Sequence, residues 1–391
     1  MAGGDHLMTA CAIEEAAEYE ALRPTPRAAL TVGAGGSYAA RLAGRGDALL
    51  AERWTLDGPE PYAVPLPLGQ PEEPDTEVAP LADGRVLVHR RVAGLRSFSL
   101  LYPAGPGTGE LPLGCVESAE LRLLPPSPDG TCAYALATDG NSTSLWLVAG
   151  GAFGPERVAV VPGRCSGGVW LDRTGRMLAL DRERDGVTKA VVVDLERGGE
   201  VTPLLQITES SNDRLLLADA ESGLLMIRSD AAGHDRLGWG VLGSLRPVRF
   251  PECLRLPDAA VTPFAIQPGQ VLIPESCAVA LRIDAAAGTW VGVWRPAGRR
   301  LHHLPAPDGW LAGSGLWTRE GVLRLPCATE EVPCGMARLE PPGDPLPAPS
   351  ATASEQPECA GGEPCGEAGR PALRRPVPLQ QAPLTGRVAR G

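Results

Sequence analysis

The sequence predicts an all-β protein, a β-propeller most consistent with seven four-stranded blades. Two observations carry the prediction. Gly (48) and Pro (40) together exceed a fifth of the 391 residues, which is typical of turn-rich β-proteins. A unit made of a turn and an apolar segment also recurs seven times along the chain. A propeller blade contains four short strands and their loops, so each unit accounts for one blade, and six or eight blades remain alternatives.

The clearest copy of this unit lies at residues 125–151. A Ser-Pro-Asp-Gly turn at 127–130 is followed by a predicted strand at 132–136. A second turn at 138–141 leads to a predicted strand at 145–148. Gly supplies the positive φ that tight turns need, so Asp-Gly between apolar runs predicts a hairpin.

The seven turns have their second residues at 47, 84, 130, 175, 213, 269 and 321. The successive spacings of 37 to 56 residues fit one blade each. We expect the segment before each turn to be the innermost strand, beside a central channel. Two classes of Trp accompany the repeats. One class is expected to end the last strand of a unit (Trp54, Trp146, Trp239, Trp294), and the other comes just before the turn (Trp170, Trp317).

The ends of the chain differ from its centre. Residues 1–27 form a lead-in whose charge pattern predicts a short amphipathic helix at 9–22. We assign residues 28–340 to the propeller. Residues 341–391 are rich in Pro, Gly and Ala and nearly lack large apolar side chains, which predicts disorder. Within this tail, only residues 378–384 carry enough apolar side chains to dock on a partner.

Charge and composition exclude several classes of function. The net charge is −11 and no Lys or Arg run could neutralise a row of phosphates, so we expect no nucleic-acid partner. No signal peptide or membrane-spanning apolar run is apparent, which predicts a cytoplasmic protein without a membrane partner. The ten Cys residues form no CxxC pair and are expected to be free thiols. The Arg, Ala and Gly bias is typical of a GC-rich bacterial genome, and no cofactor or metal site is predicted.

The unit at residues 125–151 resembles the blades of TolB-like propellers and of the propeller half of prolyl-oligopeptidase-type peptidases. The resemblance lies in Ser-Pro-Asp-Gly at 127–130, Ala-Tyr at 133–134 and Leu-Trp-Leu-Val at 145–148. It extends over about residues 30–340. In those peptidases a separate α/β-hydrolase domain carries the catalytic residues, and we expect that domain to be absent here. The G-x-S-x-A string at 35–39 is interpreted as a Gly-rich turn entering the first blade, with a nucleophile elbow as the alternative.

The predicted ligand-binding residues are polar or aromatic side chains expected near the channel, together with one loop pair. The channel set is Glu120, Arg122, Trp170, Asp172 and Trp317. His234 and Asp235 could form a base with its orienting carboxylate, or belong to a solvated hairpin loop. The two Trp residues could wall the channel or pack between blades.

These residues predict a binding scaffold that engages a protein, a peptide or a small molecule at the central funnel. Specialised metabolism in a bacterium is one context that would suit it. The alternative is a propeller-type enzyme, a lyase, hydrolase or cyclase, and fold alone does not separate the two. Three or more His, Asp, Glu or Arg side chains converging in a pocket of ligand size would favour catalysis.

Overall fold

A computed structural model describes residues 30–45, 48–269 and 273–342. The described chain forms seven antiparallel sheets, each built from strands that are consecutive in sequence. The sheets are the seven blades of a β-propeller. The predicted helix at 9–22 and the predicted disordered tail, apart from residues 341 and 342, lie outside the described residues.

The strands run through the blades in chain order. Blades 1 to 4 comprise β1 (Thr31–Val32), β2 (Tyr38–Arg45), β3 (Ala48–Thr55), β4 (Tyr62–Leu66), β5 (Glu77–Pro80), β6 (Val86–Val92), β7 (Leu95–Ala104), β8 (Gly107–Glu117), β9 (Glu120–Leu123), β10 (Ala133–Asp139), β11 (Ser142–Ala149), β12 (Glu156–Pro162), β13 (Arg164–Trp170), β14 (Met177–Arg184), β15 (Val187–Asp194) and β16 (Glu200–Leu205). Blades 5 to 7 comprise β17 (Asp213–Ala218), β18 (Leu224–Ser229), β19 (Arg236–Val241), β20 (Ala259–Ile266), β21 (Val279–Ala285), β22 (Gly288–Trp294), β23 (His302–Pro305), β24 (Leu316–Trp317), β25 (Leu323–Cys327) and β26 (Gly335–Leu339).

Five blades have four strands, whereas blades 5 and 7 have three regular strands among the described residues. In blade 5 the fourth position is held by Arg249, whose backbone exchanges hydrogen bonds of 2.9 and 3.0 Å with that of Trp239 on β19. In the described part of the chain, the remaining regular structure is three single 3₁₀ turns: Leu195–Arg197, Glu252–Leu254 and Pro274–Ser276.

Local turn chemistry explains the hairpins. At the β14–β15 turn, Asp185 and Gly186 have φ values of 52° and 77°. Two successive positive φ angles define a type I′ turn, which matches the twist of the flanking strands, and Asp-Gly is a preferred pair for it. Successive side chains along β14 then alternate: Leu178 and Leu180 pack toward blade 3, while Ala179 packs toward blade 5.

The core is divided into seven apolar clusters, one between each pair of neighbouring blades. Both faces of a blade are therefore covered by neighbouring blades. This agrees with the strand sequences, in which few positions in the middle of a strand are polar. Each sheet buries its faces only against its neighbours, so the blades depend on the closed ring for their dry interior.

The ring closes between blades 7 and 1 through side chains and backbone. Leu30 and Trp54 share an apolar cluster with Leu316 and Met336. The buried Ser314 hydroxyl donates to the Leu30 carbonyl at 2.6 Å. The seven clusters and this closure establish the predicted seven-bladed propeller.

The seven predicted turns fall one in each blade, which is why the blade count is correct. Five of them, those ending at residues 84, 130, 175, 269 and 321, lie between the first and second strands of a blade, as expected. The other two do not lie there. The pair at 46–47 falls between β2 and β3, outside the described residues, and Asp213 already belongs to β17.

The turn ending at residue 269 lies between β20 and β21. The strand predicted directly after it is wrong over Pro274–Ser276, which form a 3₁₀ turn, and β21 begins only at Val279. The physical reason for these differences is the same. Gly, Pro and Asx residues mark a reversal of the chain, and every blade has several reversals with the same local chemistry.

The first Trp class was also placed wrongly. Its members lie on the third strand of their blades (β3, β11, β19 and β22) and not on the last. Trp54 and Trp294 are almost fully buried, because third strands are covered by the neighbouring blades. The second class is confirmed: Trp170 and Trp317 end the first strands β13 and β24, directly before the turn.

The G-x-S-x-A string forms the turn between β1 and β2, as the first interpretation predicts. The Gly36 N–H donates to the Gly33 carbonyl at 2.9 Å, and no helix follows. The seven described cysteines are free thiols, although only Cys165 and Cys277 are fully buried and Cys115 is exposed. Among the described residues, no helix has the length and apolar character needed to cross a membrane.

Candidate functional site at the first strands of blades 3 to 5

The first strand of each blade lies closest to the axis of the propeller. First strands of successive blades contact one another, as β5 contacts β9, β13 contacts β17, and β17 contacts β20. Side chains on these strands therefore come together although they are distant in sequence. The candidate site is the group of charged residues at the start of the first strands in blades 3 to 5.

Blade 3 contributes Glu120 and Arg122, both exposed, from β9. They alternate with Leu121, which packs into the cluster shared with blade 2. The segment leading into β9 is fixed by Arg96, which donates to the Ser118 carbonyl at 3.2 Å and also contacts the Ala119 carbonyl. The two charged side chains of β9 are thus presented by an anchored strand.

Blade 4 contributes Arg164 at the start of β13. Its guanidinium lies 3.2 Å from the Glu120 carboxylate, which makes an ion pair between the first strands of blades 3 and 4. Both side chains are more than half exposed, at 56% and 63%. An ion pair this exposed adds little stability, so both groups remain accessible to a ligand.

Blade 5 contributes Arg214 on β17, which reaches back to blade 4. Its guanidinium donates to the Ser166 and Thr188 hydroxyls at 3.4 and 3.3 Å. It also lies 4.0 Å from the Asp181 carboxylate. We call Glu120, Arg122, Arg164, Asp181 and Arg214 the charged belt.

Asp181 is the buried member of the charged belt. Burial raises the pKa of Asp181 to about 6, against the opposing effects of the Leu215 N–H and of Arg214. Its carboxylate accepts from the Leu215 backbone at 2.9 Å, which joins β14 to the first strand of the next blade. Gly167 passes directly over this carboxylate with φ 75°, a conformation that favours Gly, within an irregular stretch of β13.

A second carboxylate makes the same kind of link two blade junctions earlier, between blades 2 and 3. Glu77 on β5 accepts from the Leu123 N–H on β9 at 2.8 Å. The same oxygen lies 3.0 Å from Nδ1 of the buried His89. Carboxylates that accept backbone N–H groups across a blade junction therefore hold the first strands of blade 3 and of blade 5.

The predicted residues Trp170 and Asp172 lie at the other end of β13. The Trp170 indole donates to the Pro125 carbonyl at 3.2 Å and packs against Tyr134 between blades 3 and 4. Asp172 caps the following turn by accepting backbone hydrogen bonds from Thr174, Arg176 and Met177. Although burial opposes it, this hydrogen bonding, together with the Thr174 hydroxyl, lowers the pKa of Asp172.

Trp317, His234 and Asp235 lie apart from the charged belt. Trp317 is 5% exposed and packs in the cluster between blades 6 and 7. His234 and Asp235 are exposed in the β18–β19 turn, where Asp235 pairs with Arg228 at 3.1 Å. Of the seven predicted residues, only Glu120 contacts another member of the charged belt, Arg164, and Arg122 shares strand β9 with Glu120.

Three members of the charged belt were missed by sequence reasoning. In the sequence, Arg164 lies in a Gly-rich stretch at 163–167 and Asp181 lies in the apolar segment after the fourth turn. Arg214 directly follows the fifth turn, and none of the three belongs to a motif that marks a site. Their common feature is a position on or beside a first strand, which becomes visible only when the strand order is known.

The described residues contain no cluster of three or more His, Cys, Asp or Glu side chains suited to a metal ion. Two surface clefts of about 300 and 290 Å³ also lie away from the charged belt. The first adjoins Trp239 and Arg249 near the blade 5–6 junction, and the second adjoins Glu72 and Arg90 on blade 2.

Comparison with known proteins shows similarity in structure. No protein-family model and no curated protein matches the chain. The solved oligogalacturonate lyase of Vibrio parahaemolyticus superposes with a TM-score of 0.51 at 11% identity, over 81% of this chain and 92% of that one. Prolyl oligopeptidase B of Galerina marginata has a TM-score of 0.50 at 11% identity over 80% of this chain, which spans 48% of the peptidase.

TolB of Acinetobacter baumannii also matches, with a TM-score of 0.43 at 10% identity, over 76% of this chain and 78% of that one. At such identities the likeness concerns the fold alone. The chain is a seven-bladed β-propeller, and the match to prolyl oligopeptidase B confirms the resemblance to propellers of that type at the level of fold.

Proposed function

We propose that this protein is a binding scaffold whose charged belt holds an acidic segment of a protein or peptide partner. The observation that carries the proposal is that Arg122, Arg164 and Arg214 lie on the first strands of three successive blades. Within the belt the exposed acidic member is Glu120, because Asp181 is buried. Three arginines against these two carboxylates give the belt an excess of positive charge, which attracts acidic groups although the chain has a net charge of −11.

The hydrogen bonds and the ion pair of these arginines are consistent with a binding scaffold. Arg164 is paired with Glu120, and Arg214 is held by two hydroxyls, so the guanidinium groups are already oriented for a partner. Preorganised groups lose little conformational entropy on binding. A cytoplasmic location, expected from the sequence, belongs to the same proposal.

The test is binding of a fluorescein-labelled peptide of alternating Glu and Ala, measured by fluorescence anisotropy, with an alternating Lys and Ala peptide as the opposite probe. We expect the acidic peptide to bind and its affinity to fall as salt is raised. The variant Arg122→Glu/Arg164→Glu should weaken binding at least about tenfold, the loss of one charge-assisted hydrogen bond or more. Equal binding of both peptides, or no binding of the acidic one, contradicts the proposal.

The matched control is Arg157→Glu/Arg197→Glu, which changes the net charge by the same amount. Both control residues are exposed, Arg157 on β12 at the outer edge of blade 3 and Arg197 in the 3₁₀ turn after β15. The control should retain the affinity of the unaltered protein. If it weakens binding as much as the belt variant, the attraction is a property of the whole surface and the belt is not the site.

An enzyme is the second candidate, and one observation favours it. Asp181 has a pKa of about 6 and lies beside Arg214, and carboxyl groups with such pKa values are used in general acid–base catalysis. Against this, none of the described His side chains lies on a first strand. Turnover of oligogalacturonate by the protein that is lost in Asp181→Asn would favour the enzyme.

A further inference from the structure

The charged belt lies where the first strands begin. Three other charged side chains meet where first strands end. Arg173, Glu221 and Arg319 lie in the turns that follow β13, β17 and β24. Glu221 Oε1 lies 3.6 Å from Arg319 Nη2 and also contacts Arg173 Nη2. Blades 5 and 7 are not neighbours, so their turns can meet only where the blades converge at the axis. We call these three residues the axial triad.

Burial and charge separate the roles within the axial triad. The Glu221 side chain is 11% exposed, whereas those of Arg173 and Arg319 are 56% and 60% exposed. The carboxylate therefore lies beneath two solvent-facing guanidinium groups. Each guanidinium has five N–H donors, more than one shared carboxylate oxygen can accept. The axial triad has a net charge of +1.

Other acidic groups near the axial triad are engaged in their own turns. Asp172 accepts three backbone hydrogen bonds, and Asp219 accepts from the backbone and hydroxyl of Ser222. Glu320 interacts with its own backbone amide and with Thr318, and these hydrogen bonds lower its pKa. Glu221 is thus the carboxylate directed at both guanidinium groups.

We propose that the axial triad is a binding site for an oxyanion, a phosphate or a carboxylate group, held between Arg173 and Arg319. Planar guanidinium groups bind such anions through paired, charge-assisted hydrogen bonds. Glu221 orients both arginines when the site is empty, and its own negative charge limits the affinity. The site is separate from the charged belt because it lies at the other end of the same strands.

Isothermal titration calorimetry tests this site at constant ionic strength. Inorganic phosphate is titrated in one arm. N-acetyl-trialanine with a free carboxylate is titrated in the other, against its carboxamide. We expect saturable binding in at least one arm. Arg173→Gln or Arg319→Gln should weaken it about tenfold, the worth of one charge-assisted hydrogen bond. Glu221→Gln should tighten it, because the net charge rises from +1 to +2.

The control is Arg197→Gln, an arginine 65% exposed that pairs with Glu200. It should leave the affinity unchanged. Binding of phosphate supports a phosphate ligand, and binding of the free carboxylate but not of the carboxamide supports a peptide C terminus. No saturable binding in either arm, or affinities unaffected by both arginine variants, overturns the proposal. Should an arginine variant misfold, Glu221→Gln decides, since tighter binding cannot come from lost structure.

Discussion

At the residue scale, the single lysine shows how much of a side chain's role depends on distant partners. Lys189 on β15 donates to the carbonyl of Ser211 at 2.6 Å and to the carboxylate of Asp213 at 2.7 Å. Asp213 is fully buried and also accepts from the hydroxyls of Ser211 and Ser229. The sequence position of a single Lys does not indicate these hydrogen-bond partners. In the fold it anchors the start of β17, from which Arg214 enters the charged belt.

Asp181 makes the stability of the protein depend on pH. Its folded pKa of about 6 is above that of an unfolded Asp, so the folded state binds the proton more tightly. The stabilisation that this tighter proton binding gives to the folded state is fully present below about pH 4 and is lost as the pH rises through about 6.

We therefore predict that deprotonation of Asp181 lowers the unfolding free energy of the unaltered protein by roughly 1–3 kcal/mol between pH 4 and 7. The variant Asp181→Asn should not show this decrease. Asn still offers an oxygen to the Leu215 N–H. Urea unfolding of both proteins across this range gives the difference, which isolates Asp181 from carboxylates of lowered pKa such as Asp172. Parallel stability profiles for the two proteins would show that this carboxyl is not the titrating group.

At the element scale, a strand in this fold is a divider between two apolar clusters. Along β22, Val291 and Val293 pack toward blade 7 while Trp294 packs toward blade 5. Trp294 is 1% exposed and meets Trp239 edge to face at 6.5 Å. Trp290, on the same strand, is 40% exposed.

We predict that Trp294→Ala lowers the free energy of unfolding by about 3–5 kcal/mol, because a large cavity opens between blades 5 and 6. Trp290→Ala should cost clearly less, since that ring keeps 40% exposure and its removal leaves no enclosed cavity. Chemical denaturation of the two variants measures both values. Similar losses would mean that burial at the blade junction is not what the strand contributes.

Hairpins could be predicted from the sequence because their chemistry is local, as at the predicted turn at 138–141, which joins β10 and β11. The order of strands within a blade could not. A turn ending at Asp213 looks the same as one ending at Gly130, yet the first precedes a blade and the second lies inside one. The Trp residues of third strands were assigned to last strands for the same reason.

On the scale of the whole molecule, the ring is closed by contacts between blades 7 and 1. Ser314 and the Leu30 carbonyl form one link, and Arg324 donates to the Leu56 carbonyl at 3.0 Å. These links join the two ends of the described chain. Closure brings the first strands to a common axis, and with them the charged belt and the axial triad.

We predict that Ser314→Ala lowers the free energy of unfolding by about 1–2 kcal/mol, because the buried Leu30 carbonyl loses its hydroxyl partner. Ser142→Ala is the matched control: its hydroxyl also donates to a carbonyl, that of Asp139 at 3.3 Å, but within one exposed hairpin. It should cost less than about 0.5 kcal/mol. Equal effects in thermal and denaturant unfolding would indicate that the closure bond is no stronger than a surface one.

The sequence by itself determined the all-β character and favoured seven blades over six or eight. Turn residues and alternating apolar segments act within a few positions of one another, so they can be recognised without the fold. Only the tertiary structure decided which charges meet. Glu120 with Arg164, Asp181 with Arg214, and Glu221 with two arginines are pairs from different blades. They meet because seven sheets close around one axis. Which residues this closure brings close together is not encoded in any local sequence pattern.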